Sequence, residues 1–214
     1  MTTKGTRILV DKFDKQQLAN LPRATFCGRI IVVSSEREAE RAVNFLMRQT
    51  LLGFDTETRP SFRPGPMHPV ALMQVSTEDT CFLFRLNFID IPPCLVQLLS
   101  DELITKVALS WGDDTSQLLR RCKFKMGRFV ELQTYVRQFG IEDMSLQKLY
   151  ANVFGEKISK AQQLTNWETD ALTAAQKVYA ATDAWACLRL YQELEHLRKT
   201  NNWELKKYVE PISE

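Results

Sequence analysis

The stretch Leu51-Leu52-Gly53-Phe54-Asp55-Thr56-Glu57-Thr58 constrains this chain more than any other. Its nearly continuous apolar run reads as a strand buried within a sheet. The run ends in two carboxylates one residue apart. Side chains alternate along a strand, so Asp55 and Glu57 share a face, with their Cα atoms roughly 7 Å apart. Two like charges held side by side repel unless a cation stands between them. A divalent metal ion with hard oxygen ligands is the usual answer. A solvated strand end shows the same pattern, so the choice depends on whether the chain supplies further acids at fitting positions.

The chain has 214 residues, enough for one α/β domain with a sizeable core. A net charge of +2 gives no global basic field, so any grip on nucleic acid must come from a local patch. Cys27, Cys81, Cys94, Cys122 and Cys187 form no CxxC pair and read as reduced core residues of a cytosolic protein, with no zinc site. The N-terminus lacks the apolar stretch of a signal peptide. No run approaches the ~18 apolar residues of a membrane span. A soluble, cytoplasmic protein without a membrane partner is therefore expected, its oligomeric state left open.

Along the chain, Phe13 to Leu21 is amphipathic and predicts a short helix stopped near Pro22, within an extension over residues 1–27 packed on the outside of the domain. Gly28 to Val33 is β-branched and predicts a strand. Ser35 and Glu38 form a capping-box pattern ahead of Ala39, Ala42, Val43, Leu46 and Met47, one face of a helix. After Glu57 a Pro/Gly-rich loop carries Arg59, Phe62 and Arg63. Val70–Ser76 and Cys81–Leu86, joined by a polar turn, predict an antiparallel hairpin. Pro92 and Pro93 suit the first turn of a helix to about Leu99. Ile104–Leu109 and Arg128–Leu132 are further strand candidates. Helical pieces are expected over Thr134–Gly140 and Ser145–Val153, then a polar loop over Gly155–Trp167 with Lys157 and Lys160. A long helix follows from near Leu172 to Leu197. The tail over residues 199–214 has little periodicity, and no internal repeat or long linker divides the chain.

Three more acids compete for a place beside Asp55 and Glu57. In Ser110-Trp-Gly-Asp-Asp-Thr-Ser-Gln-Leu-Leu119, a sharp strand-to-helix turn, Leu118, Leu119 and Cys122 define the inward face. Asp114 lies four residues before Leu118, on the sheet side. Asp113 lies four before Gln117, facing outward, where it suits an N-cap; both could instead merely cap the helix. On the long helix Tyr179 and Asp183 stand four residues apart on one face, among Ala180, Ala181 and Ala184, whose small side chains permit close packing.

Asp55, Glu57, Asp114 and Asp183 in one cleft would carry up to four negative charges, which two divalent cations (Mg²⁺ or Mn²⁺) neutralise. Such a pair suits in-line attack on a phosphodiester, with one ion activating water and the other stabilising the leaving 3′ oxygen. The Tyr179 phenol, with an ordinary pKa near 10, positions water better than it removes a proton. The only histidines are His68, in the Pro-rich loop, and His196, near the end of the long helix, so nucleophilic Ser or Cys catalysis has no partner base. No Gly-rich nucleotide loop is present.

The motif Leu-Gly-Phe-Asp55-Thr-Glu57-Thr-Arg-Pro-Ser-Phe resembles the first motif of the DEDDy branch of DnaQ-like 3′–5′ exonucleases, nearest the ribonuclease D and Werner-type group. Val107-Ala-Leu-Ser-Trp-Gly-Asp-Asp114-Thr-Ser-Gln-Leu-Leu is similar to the second. Gln163-Leu-Thr-Asn-Trp-Glu168, then Leu172-Thr-Ala-Ala-Gln-Lys-Val-Tyr179-Ala-Ala-Thr-Asp183-Ala, is similar to the third. The resemblance covers residues 28–198, in the family's order. It implies an α/β, ribonuclease H-like fold: a mixed five- to six-stranded sheet flanked by helices, with a two-metal site at its edge. It also implies that Asp55 bridges both ions, that Glu57 and Asp183 complete the nucleophile-side ion, and that Asp114 holds the other. The expected partner is nucleic acid with a free 3′ end, DNA slightly before RNA, gripped by Arg59, Phe62, Arg63, Lys157 and Lys160. A binding or scaffolding module that keeps the fold without the chemistry is the rival from another class, and an RNA-trimming enzyme like ribonuclease D is the rival within it.

Overall fold

The Leu51–Thr58 stretch is a strand, and it lies inside a six-stranded mixed sheet. The computed structural model describes residues 6–62 and 68–208, apart from the side chains of Asp113 and Asp114. The chain begins with β1 (Arg7–Val10), a 3-10 turn (Lys15–Asn20), β2 (Arg29–Val33), α1 (Glu36–Leu46) and β3 (Leu51–Thr58). Next come β4 (Val70–Ser76), β5 (Thr80–Phe84), α2 (Leu86–Ile89), α3 (Pro93–Ser100), β6 (Thr105–Ala108) and α4 (Gly112–Arg121). It ends with β7 (Phe129–Glu131), α5 (Leu132–Tyr135), a second 3-10 turn (Val136–Phe139), α6 (Leu146–Phe154), α7 (Ala174–Thr200) and β8 (Trp203–Lys206).

The large sheet has the order β2-β5-β4-β3-β6-β7, and β4 alone runs against the other five. Alternation fixes what each face of β3 carries. Leu52 and Phe54 enter a core with Val33, Val75, Phe84, Leu95 and Leu98, under α1 and α3. Gly53, Asp55 and Glu57 therefore face α7. There Ala180, Ala181 and Ala184 pack on Leu72, Cys81 and Leu83. The approach is close enough that a Cβ on Gly53 would lie 1.9 Å from the Ala184 carbonyl oxygen. Glycine is required there because any side chain would displace the helix. Pairing slips between Glu57 and Thr58, a bulge that breaks the β3–β4 ladder beside the second acid.

Two capping boxes set helix starts: Ser35 with Glu38 on α1, and Thr173 with Gln176 on α7. The short helix expected in Phe13–Leu21 forms as a 3-10 helix over Lys15–Asn20, capped by Asp14 through the Gln16 N–H, with the Phe13 N–H donating to Asp143 Oδ2 at 2.6 Å. The C-terminal tail is not featureless: β8 pairs in parallel with β1, from Arg7↔Trp203 to Val10↔Lys206. Each strand is four residues long, too short for alternation to register in the sequence. Cys27 is exposed, unlike the buried Cys81 and Cys187, and all five cysteines are free. Among the described residues no helix is long and apolar enough to cross a membrane.

Candidate active site

Asp55 and Glu57 project from β3 toward α7, and α7 returns Asp183 to them. One carboxylate oxygen from each of the three lies within 4.8 Å of the others. Glu57 and Asp183 are buried, while Asp55 is half-buried at the rim. Three hard anionic oxygens this close fit a divalent cation that takes oxygen ligands. They open on a cleft of ≈ 240 Å³ whose wall includes Leu109, Gln147, Lys160, Gln163 and Tyr179.

Tyr179 stands one helical turn before Asp183, and its hydroxyl donates a hydrogen bond to the Asp183 carboxylate. Burial, reinforced by the charges of Asp183, Glu57 and Asp55, pushes the phenol pKa far above its ordinary value. Tyr179 is therefore held as a donor and is no base at neutral pH. Burial also raises the Asp183 carboxyl to about 7, against the opposing hydrogen bond from Tyr179 and the positive charge of Lys160.

The loop ahead of α7 is anchored rather than free. Trp167 is fully buried, with its ring centroid 6.0 Å from that of Tyr179. Gln176 Nε2 donates to Thr165 Oγ1 and to the Asn166 carbonyl, each at 3.1 Å. The buried Arg85 guanidinium, at the end of β5, donates to the carbonyls of Thr169 and Asp170.

The second-motif acids stand in the first turn of α4, whose N-cap is Trp111. Asp113 is thus inside the helix rather than at its cap, because the turn closes two residues earlier. The side chains of Asp113 and Asp114 lie outside the described residues. The turn that delivers them is held by Glu131, which the sequence offered only as part of a strand. Its carboxylate accepts from the N–H groups of Ser110 (3.0 Å), Trp111 (3.2 Å) and Gln133 (3.0 Å). Ser110 has φ +59°, a left-handed conformation that costs a non-glycine residue energy and must be held by its surroundings. Trp111 also stacks on Phe129, with centroids 4.4 Å apart and planes 11° from parallel. The one sequence signal that could have found this clamp is an acid at the end of the strand candidate Arg128–Leu132.

The structure spreads out the residues expected to grip a substrate. Lys160 lines the cleft. Lys157 faces an adjoining hollow, and its Nζ donates to the Ala19 carbonyl. Arg59 pairs with Glu168 at 3.1 Å, and the other oxygen of Glu168 lies 3.1 Å from His68 Nδ1. Phe62 is 79% exposed. Arg63 lies outside the described residues.

Carboxylates from a sheet strand and a helix around a polar cleft occur on several folds, so kinship decides what the cluster belongs to. A family model described as 3′-5′ exonuclease matches residues 30–198. The chain belongs to the 3′–5′ exonuclease family. This family member is 32% identical to the mouse bifunctional 3′-5′ exonuclease/ATP-dependent helicase WRN, over 91% of this chain and 16% of that protein. It thus spans about one sixth of that relative's length. Its fold is similar to the Nibbler EXO domain of Aedes aegypti, with TM-score 0.74 and 21% identity over 85% of this chain and 95% of that one. Ribonuclease D of Trypanosoma brucei, solved in complex with the RNA U12, superposes with TM-score 0.68 and 20% identity, over 79% of this chain and 63% of that one.

Proposed function

We propose that this exonuclease-family chain hydrolyses the terminal phosphodiester at the 3′ end of a nucleic acid, releasing nucleoside 5′-monophosphates, with two divalent ions, Mg²⁺ or Mn²⁺. The observation that carries the reading is the placing of Asp55, Glu57 and Asp183 within 4.8 Å of one another beneath a tyrosine hydroxyl held as a donor. Asp55 would be shared between the ions, Glu57 and Asp183 would hold one, and Asp114 the other. When bound, such ions activate a water nucleophile and stabilise the leaving 3′ oxygen.

This chain's own residues supply the rest. The Tyr179 hydroxyl orients the attacking water without taking its proton. Lys160, on the cleft wall, balances charge gathering on the phosphate in the transition state. Leu109 and Leu146 give the same cleft an apolar side for the terminal nucleoside. Phe62 offers an exposed ring for base stacking, and Arg59 could exchange Glu168 for a phosphate.

The test is direct. Purified protein with Mg²⁺ or Mn²⁺ should shorten a 5′-labelled single strand from its 3′ end, and EDTA should stop it. Matched DNA and RNA strands decide the sugar. The slight preference for DNA rests on likeness to the mouse relative, whereas the ribonuclease D neighbour is solved with RNA. Failure to shorten either polymer with either metal, while the strands still bind, would leave a nucleic-acid-binding module in its place.

A further inference from the structure

Beside the catalytic cleft lies a second hollow, of ≈ 350 Å³, with Arg23 and Lys157 on its wall. Gln147, Ile158, Ser159 and Lys160 line both cavities, so the two are continuous along one segment of chain. We propose that this hollow binds the phosphate backbone of a single strand on the 5′ side of the nucleotide being removed. The proposal rests on the exonuclease reading, which puts the 3′ end at Asp55, Glu57 and Asp183.

Charge singles out this hollow. Its wall carries three cations, Arg23, Lys157 and Lys160, and no carboxylate. Among the described residues none of the three has an ion-pair partner. A chain of net charge +2 has no general excess of cations to scatter here, so a local concentration carries information.

The backbone fixes that arrangement. Arg23 and Lys157 form an isolated parallel bridge, closed by Ala24 N–H to the Lys157 carbonyl and Lys157 N–H to the Pro22 carbonyl, both 2.9 Å. Residues bridged in this way stand side by side, and like charges so placed destabilise each other unless an anion lies between them. Gln147 Nε2 donates to the Ile158 carbonyl at 2.7 Å, which ties down the segment joining the two cavities. One Lys157 ammonium proton goes to the Ala19 carbonyl, and the remaining two stay available to a ligand.

Position completes the case. Lys160 lines the cleft together with Asp55, Glu57 and Asp183, so it marks the catalytic end of the track. Lys157 comes three residues earlier, at most about 10 Å away along the chain. A strand whose last phosphodiester sits at the carboxylates would run its preceding phosphates past Lys160 toward Lys157 and Arg23. Recognition of this kind reads phosphate and ignores the base.

The experiment compares Arg23→Ala/Lys157→Ala with Arg23→Lys/Lys157→Arg, which preserves both charges. Fluorescence anisotropy in an Asp55→Asn background, where strands stay intact, gives Kd for long oligothymidylate and oligouridylate over a range of salt. Turnover of a dinucleotide with Asp55 restored reports on the cleft alone. The alanine pair should weaken binding of both long strands by about 10-fold and flatten the salt slope by about 1.4, from two lost phosphate contacts. Dinucleotide turnover should not change, and the charge-preserving pair should keep the parental slope. An unchanged slope in the alanine pair overturns the proposal, as does an equal loss on the dinucleotide, which would move these residues into the cleft. A loss confined to the ribose strand would overturn recognition by phosphate alone. If unaltered protein cleaves nothing, the exonuclease reading fails, while the anisotropy series still decides whether this hollow holds a strand.

Discussion

Gly53 on β3 and Ala184 on α7 meet backbone to backbone: a Cβ on the glycine would lie 1.9 Å from the alanine carbonyl oxygen. Asp55 follows that glycine by two residues and Asp183 precedes that alanine by one. The contact therefore sets the spacing of the carboxylate cluster. Gly53→Ala should wedge the helix outward and cost ~1–3 kcal/mol of stability. A shift of about 1 Å in catalytic groups can cost ~10²-fold in rate, so turnover should fall further than stability does. Thermal melts and kcat on the same preparation separate the two, and full activity in a destabilised variant would show that the cluster tolerates the shift.

Asp55 and Tyr179 should fail in different ways. Asp55→Asn removes the charge assigned to both ions, so cleavage should drop below detection. The metal-free fold should be as stable or more so, because one repelling carboxylate has gone. Tyr179→Phe keeps every proposed metal ligand and deletes one hydroxyl, so the expected rate loss is about 10²-fold. Because that hydroxyl also holds the Asp183 carboxyl pKa down, Mn²⁺ affinity at neutral pH should fall slightly, far less than in Asp55→Asn. Calorimetric Mn²⁺ titration beside single-turnover rates checks both.

The burial of Asp183 has a pH signature. Its carboxyl, raised to about 7 in the folded state, keeps a proton that the unfolded chain releases near pH 4. The metal-free protein should therefore lose stability from this group as pH rises from about 4 to about 7, with no further change above. Asp183→Asn removes the dependence. In EDTA the variant should melt above the parent at about pH 8, with the gap closing toward about pH 4. Mg²⁺ should narrow or reverse the gap at the higher pH, since it favours the carboxylate. A gap that does not vary with pH would show that Asp183 ionises normally in the folded chain.

Glu131 should matter to turnover although it lies outside the carboxylate cluster. Glu131→Ala leaves the N–H groups of Ser110 and Trp111 without their acceptor, at a cost of ~1–3 kcal/mol, and loosens the turn that presents Asp114. Asp114→Asn should abolish cleavage. Asp113→Asn should cost only the ~0.3–1 kcal/mol of an acid in a first helical turn and leave turnover intact. Rate measurements on the three variants decide; loss with Asp113→Asn and not with Asp114→Asn would reverse the ligand assignment.

What could be read from the sequence was short-range. The Ser35–Glu38 capping box, the shared face of Asp55 and Glu57, and the single turn between Tyr179 and Asp183 each follow from a fixed local period. Long-range partners leave no such mark. Nothing near Gly53 announces Ala184, and nothing in Arg7–Val10 announces Trp203–Lys206. Nothing in the strand Cys81–Leu86 announces that Arg85 holds the distant Thr169 and Asp170 carbonyls. Lys157 reads as a neighbour of Lys160 in a polar loop, and only the bridge to Arg23 turns it away from the cleft.

The pairing of β1 with β8 bears on the order in which the chain can fold. β1 leaves the ribosome before any other described strand and β8 after all of them, so β1 waits for its partner until the whole sheet has been synthesised. Closing so long a loop carries a large entropic cost early in folding and a small one once the intervening chain is ordered. The clasp should therefore form after the folding transition state. Weakening it, with Leu9→Ala for example, should speed unfolding and leave the refolding rate nearly unchanged.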